Sequence, residues 1–169
     1  SVIAEHGAQT AKEWATGLWN NRARDPQGGD TDQLRGIVSG ECQIAVSNTY
    51  YFARALGSDV DGLTGSTDGI GWVFPNQSGR GAHVNISAGA VTANAPNREN
   101  AVRFLEYLAS PQAQEYFSEG NNEYPAVPGV ALGGPVAQMG IFRQDDLNLS
   151  VLGENQAEAQ AIYDEVGYE

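Results

Sequence analysis

The sequence predicts an α/β fold. Short apolar runs of strand length, at 42–47, 71–74 and 84–87, alternate with segments whose apolar residues recur at helical spacing. Turn-forming residues separate them, and 21 glycines are distributed along the chain. A length of 169 residues suits one ordinary domain or half of a two-lobed protein.

The elements run in order along the chain. Ala11, Trp14, Ala15, Leu18 and Trp19 form the apolar stripe of a helix over 4–23. Ser1-Val2-Ile3-Ala4 has no polar lead-in and reads as the continuation of an earlier apolar segment. Asp25-Pro26-Gln27-Gly28-Gly29-Asp30 is a loop, after which Asp30 or Thr31 caps a short helix with Leu34, Ile37 and Val38 inward, stopped by Gly40. Cys42-Gln43-Ile44-Ala45-Val46 reads as a buried strand, with Cys42 a structural thiol. Asn48-Thr49 caps a helix from Tyr50 to Leu56 that Gly57 ends.

A glycine- and aspartate-rich loop fills 57–69, and the strand Gly71-Trp72-Val73-Phe74 is closed by Pro75-Asn76. Gly79-Arg80-Gly81-Ala82 leads into an alternating strand at 84–87, with Val91 in a second extended piece. Asn97 caps the clearest helix, its inner face Ala101, Phe104, Leu105 and Leu108. Ser110-Pro111 restarts a helix that Gly120 ends. Residues 121–140 read as extended and loop-like, and Ala157, Ala161, Ile162 and Val166 mark a last helix over 154–166.

Composition narrows the function. Nine basic against 21 acidic residues leave a net charge of −12, which argues against nucleic acid or an anionic membrane surface as the main partner. Small molecules, cations and basic protein patches remain. A single cysteine leaves no intrachain disulfide and no cysteine-based zinc or iron–sulfur site in this chain. No apolar stretch has the length to span a membrane, and no signal-peptide pattern opens the chain.

Catalytic templates fail for the most part. There is no Gly-x-Ser-x-Gly elbow and no phosphate loop, and His6 and His83 lack zinc-helix spacing. Asp145-Asp146 reads as a solvated turn or helix cap, and Glu119 and Glu123 as loop residues. Tyr50-Tyr51 is different. The pair follows an apolar strand and occupies the first turn of a helix, where ligands bind in open α/β sheets and where the dipole favours anionic oxygen. Ionising a phenol near neutral pH costs roughly 3–4 kcal/mol. Coordination of a small trivalent cation offsets that cost, because hard ions prefer hard charged oxygens. Ordinary aromatic packing at a helix start, with the hydroxyls reaching backbone, stands beside this reading.

Several landmarks then occur in order: Asp25-Pro26-Gln27-Gly28, Asn48-Thr49-Tyr50-Tyr51-Phe52, Phe74-Pro75-Asn76-Gln77, Gly81-Ala82-His83-Val84-Asn85-Ile86-Ser87, Ala95-Pro96-Asn97-Arg98-Glu99-Asn100-Ala101 and Asn122-Glu123-Tyr124-Pro125. Together they resemble the periplasmic ferric-iron-binding proteins of bacterial ABC transporters, over about residues 5–168. The resemblance implies a partial type II periplasmic-binding-protein-like fold, the C-terminal half of a two-lobed protein that closes on Fe(III) and delivers it to an ABC permease. It implies Tyr50 and Tyr51 as phenolate metal ligands and Asn48 as a contact to a synergistic anion. Asp30 falls where a second anion-contacting asparagine is expected, and its carboxylate would repel phosphate.

Further metal ligands are expected upstream of Ser1, on a missing N-terminal half or companion chain. By the same analogy, residues 1–80 form a second-lobe segment, 81–132 a hinge strand with a first-lobe helical segment, and 133–169 a return to the second lobe. The exposed face of the helix at 97–109 (Phe104, Leu105 and Leu108) would then need a companion. Two other readings compete. One is a solute-binding protein for an organic anion or sugar, using Tyr50 and the Trp72 region. The other is a hydrolytic or redox enzyme using tyrosine and His83.

Overall fold

In a computed structural model, which describes residues 1–168, Gly7 splits the helix expected over 4–23. Helix α1 runs Val2–His6 and helix α2 runs Ala8–Asn20, with Gly7 between them at φ 82, ψ 161. A side chain rarely takes that conformation, so the break needs the glycine.

The chain divides into two units by its internal contacts. The first comprises Ser1–Pro26, Pro75–His83 and Arg143–Glu169. Here α2 packs along α9 (Gln156–Val166), with Ala11 and Ala15 against Ile162 and with Val2, Ile3, Ala8 and Val166 around them. The alanines let the two helices approach closely, and the covered strip is correspondingly narrow. Trp14 and Leu18, expected on the buried face, are about half exposed. Trp19 is covered instead by the edge of Tyr168 at 5.3 Å and by the Arg22 guanidinium 3.9 Å above its ring. A short helix α8 (Ser150–Glu154) precedes α9, which ends at Gly167 in the left-handed conformation.

The second unit comprises Gln27–Phe74 and Val84–Phe142. It contains α3 (Asp30–Val38), α4 (Thr49–Gly57), a 3-10 turn at Thr67–Gly69, α5 (Arg98–Leu108), α6 (Pro111–Gly120) and α7 (Gly134–Met139). Its core joins Leu34 of α3, Phe52, Ala53 and Ala55 of α4, Leu63, and Val136 and Met139 of α7. The Ser110 hydroxyl accepts the Ala113 N–H at 3.3 Å and caps α6 as expected. Buried Gln114 spans two loops, donating to the Leu108 carbonyl at 2.8 Å and accepting the Ala126 N–H at 2.7 Å.

Three further features differ from expectation. Helix α7 lies inside the stretch 121–140 that reads as a loop. Gly133-Gly134-Pro135 looks like a turn, yet proline is acceptable in the first helical turn, and burial of Val136 and Met139 holds the rest of the helix in place.

The strands expected at 42–47, 71–74 and 84–87 form no ladder. Among the described residues the only β pairing is a parallel bridge between Ala82 and Gln144. A strand needs an adjacent backbone to satisfy its amides and a sheet face to cover its side chains. Without that neighbour Ile44 and Val46 are 87% and 83% exposed, and Cys42 is half-buried rather than buried.

Finally, α5 forms where expected, but none of its residues is buried.

Candidate metal centre

Helix α4 begins with the tyrosine pair. Phe52, Ala53 and Ala55 anchor it in the core, which leaves its first turn at the surface of the unit. Neighbouring residues of a regular helix do not face each other. In this first turn, however, the rings of Tyr50 and Tyr51 tilt together, with centroids 4.5 Å apart and planes 39° apart. Tyr51 packs partly on the core, whereas Tyr50 is more exposed. Arg54, one turn on, places its guanidinium 5.4 Å from the centre of the Tyr51 ring and donates from Nη2 to the Thr31 hydroxyl at 3.0 Å. That bond ties α4 to the start of α3.

The Tyr50 phenol is held above its ordinary value near 10, first by its hydrogen bond with the Tyr51 side chain and then by burial. The negative fields of Tyr51, Asp30 and Glu123 act in the same direction. Tyr50 is therefore neutral at neutral pH.

Asn48 occupies the N-cap of α4 but makes no side-chain bond to its own helix. Its backbone N–H and its side-chain amide both donate to Asp30 Oδ1, at 2.6 and 3.1 Å. The structure thus brings Asp30, Asn48, Tyr50 and Tyr51 together.

Glu123 reads as a bland loop residue in sequence, but its charge reaches Tyr50. Its neighbours place it there. Asn122 turns the chain at φ 60, and the Tyr124 hydroxyl donates to the Gly140 carbonyl at 2.8 Å. The Tyr124 ring meets Phe142 edge-on at 5.0 Å, and Phe142 in turn stacks on Phe74 at 4.2 Å. Burial pushes the Tyr124 phenol up to about 12, so this tyrosine is a neutral structural donor. The Asn122-Glu123-Tyr124-Pro125 landmark is the one signal in sequence that points to Glu123.

Other candidates lie elsewhere. His83 is an exposed residue of the first unit, and Tyr50 belongs to the second. Asp145 is not a solvated turn residue. Its carboxylate is largely buried and pairs with Arg80 at 3.2 Å in the first unit. Among the described residues no group of three or more His, Cys, Asp or Glu side chains is gathered as a metal cluster. The oxygen donors that do converge are phenols beside a helix N-terminus.

The bacterial extracellular solute-binding protein family matches residues 9–144. The chain belongs to that family. Among curated solute-binding relatives it is similar to iron uptake protein A2 of Synechocystis sp., 43% identical over 171 aligned residues that cover 100% of this chain and 49% of that protein. It also resembles the major ferric iron-binding protein of Neisseria meningitidis serogroup B, 28% identical over 133 residues, 77% of this chain and 38% of that one.

Of solved structures, a Trichodesmium IdiA (FutA) protein in complex with iron and citrate superposes with a TM-score of 0.94 at 47% identity, covering 100% of this chain and 54% of that chain. The apo ferric ion-binding protein A of Pasteurella haemolytica gives a TM-score of 0.88 at 35% identity over 98% of this chain and 51% of that one. The chain spans about half the length of the curated relatives it matches. The fold is thus the type II binding-protein fold in partial form, as expected. No helix among the described residues is long and apolar enough to cross a membrane.

Proposed function

We propose that the protein captures ferric iron outside the cytoplasm, in the periplasm, through the phenolates of Tyr50 and Tyr51, and delivers it to an ABC permease. The observation that carries this reading is the tilted phenol pair at the first turn of α4, in a chain similar to proteins named for iron uptake and ferric iron binding. Fe(III) is a hard trivalent cation, and phenolate oxygen is a hard anionic donor. The role is binding and delivery rather than catalysis.

The chain supplies the tyrosine-bearing part of the clamp. The remaining ligands come from an N-terminal half upstream of Ser1, so the chain alone binds iron weakly. In that arrangement residues 1–80 and 133–169 serve the second lobe, and 81–132 provide the hinge strand and a first-lobe helical segment. The absence of any buried residue in α5 supports a covering partner there.

A ferric titration of the full-length protein tests the reading. Iron bound by these residues produces a visible phenolate-to-iron charge-transfer band, and the band disappears in the Tyr50→Phe/Tyr51→Phe variant. A colourless titration sinks the proposal.

A further inference from the structure

Two stretches of the second unit are apolar, irregular and bare. Among the described residues, the amides of 43–47 and of 71–74 make no hydrogen bond within the protein. Ile44 and Val46, two residues apart and so on one side of an extended chain, are almost fully exposed. Val73 is 89% exposed although both its neighbours are held. The Trp72 ring lies 5.5 Å from Phe52 and donates to the Met139 carbonyl, and Phe74 stacks on Phe142. Ile141, one residue before Phe142, is 90% exposed.

The alternation is that of strand segments covered on one side only. A strand whose outer side meets water carries polar residues there. Here the outer residues are isoleucine and valine, which favour strands and are stabilised by cover.

We propose that the part of the protein upstream of Ser1 supplies β-strands that pair with 42–47 and 71–74 and cover Ile44, Val46, Val73 and Ile141. The inference takes from the proposed function only that the rest of the protein precedes Ser1. Two observations favour the same polypeptide as the occupant. The chain spans 49% of iron uptake protein A2 and 54% of the Trichodesmium structure, so those proteins carry about as much chain again. Bare apolar edges also invite stacking of identical copies, and a covalently attached strand outcompetes a free copy through its high effective concentration. Pairing bears on the site as well. Residues 42–47 run directly into Asn48 and the first turn of α4, so a strand fixed along its length holds Tyr50 and Tyr51 in position.

The test needs no iron. Hydrogen exchange is followed in the full-length apoprotein at a low and a high protein concentration. The amides of 43–47 and 71–74 are expected to exchange at least about a hundredfold more slowly than an unstructured chain, equally at both concentrations. Unprotected exchange there overturns the proposal. Protection that grows with concentration overturns it too, because a second copy then covers the edges. Ile44→Glu and Val73→Glu in the full-length protein give an independent reading. A carboxylate at a bare position leaves the urea midpoint unchanged, whereas one beneath a paired strand lowers it. Lowered midpoints are expected for both, and unchanged midpoints in both overturn the proposal. If the variants do not fold, exchange in the native protein carries the test. The tyrosine reading is judged separately: a colourless ferric titration strikes that reading and leaves the strand pairing standing.

Discussion

Gln77 grips Arg143 by both ends of its side-chain amide. Its Oε1 accepts the Arg143 N–H at 2.7 Å, and its Nε2 donates to the Arg143 carbonyl at 3.0 Å. A side chain thus does for Arg143 what a neighbouring strand would do, beside the Ala82–Gln144 bridge. Gln77→Ala leaves both backbone groups to solvent and is expected to cost about 1–3 kcal/mol. Gln77→Glu keeps the acceptor and loses the donor, so it should fall between the two. Urea unfolding midpoints of the three proteins check the order.

Gly81 tolerates no side chain. Its φ is +104°, and an added Cβ would lie 2.5 Å from the Gln144 carbonyl oxygen, a backbone atom of the residue bridged to Ala82. Gly81→Ala should lower stability by about 2–4 kcal/mol. Gly17, inside α2 with open space around it, is the control. Gly17→Ala should be neutral or raise stability by up to about 1 kcal/mol. Thermal melts of the two variants should move in opposite directions, or only the Gly81→Ala melt should move.

Tyr124 makes the fold sensitive to alkali. Its phenol is raised from 10.0 to about 12 in the folded chain. The folded state therefore holds this proton more tightly than the unfolded state does. The resulting stability is fully present below pH 10 and is lost as pH rises toward 12. Tyr124→Phe should cost about 1 kcal/mol at neutral pH, through the lost bond to Gly140, and should flatten the alkaline fall. Stability measured at pH 8, 10 and 11.5 in both proteins decides it.

Iron binding should release protons. Tyr50 is held above its ordinary value, so it is neutral at pH 7 and, on the proposed reading, must lose its proton to bind as phenolate. Affinity in the full-length protein should therefore fall with falling pH, by about tenfold per unit for each proton released. Proton release on ferric titration should be smaller in Tyr50→Phe than in the native protein. An affinity constant from pH 5 to 8 would mean neutral ligands.

The legible parts of this protein are the local ones. Ser110-Pro111 announces α6 because a cap and an N1 proline act within four residues. The tyrosines fall at a helix start where the polar Asn48-Thr49 pair meets an apolar run, although the Asn48 side chain bonds Asp30 and not its own helix. The illegible parts depend on distant partners. Asp145 reads as a turn residue, and only the folded chain sets Arg80 against it. Asn48 reads as a cap, and only the fold brings its amide onto Asp30. The apolar runs at 42–47 and 71–74 carry a strand pattern, but pairing belongs to two strands at once, and no second strand lies beside them among the described residues. The break at Gly7 and helix α7 are hidden for a smaller reason. One glycine in a helical pattern and one proline at a helix start are each compatible with two structures until burial chooses.

Helix α5 bears on how the molecule opens. Its eleven residues bury none of their side chains, and Phe104 faces solvent. An isolated helix shorter than about 12–15 residues is marginal in water. Its amide hydrogens should therefore exchange through local fraying, with low protection, while those of α4 wait for a much rarer opening of the core. A surface laid over Phe104 would order this helix in the act of touching it. The ordering entropy would then emerge as weaker affinity and as a newly protected stretch of amides.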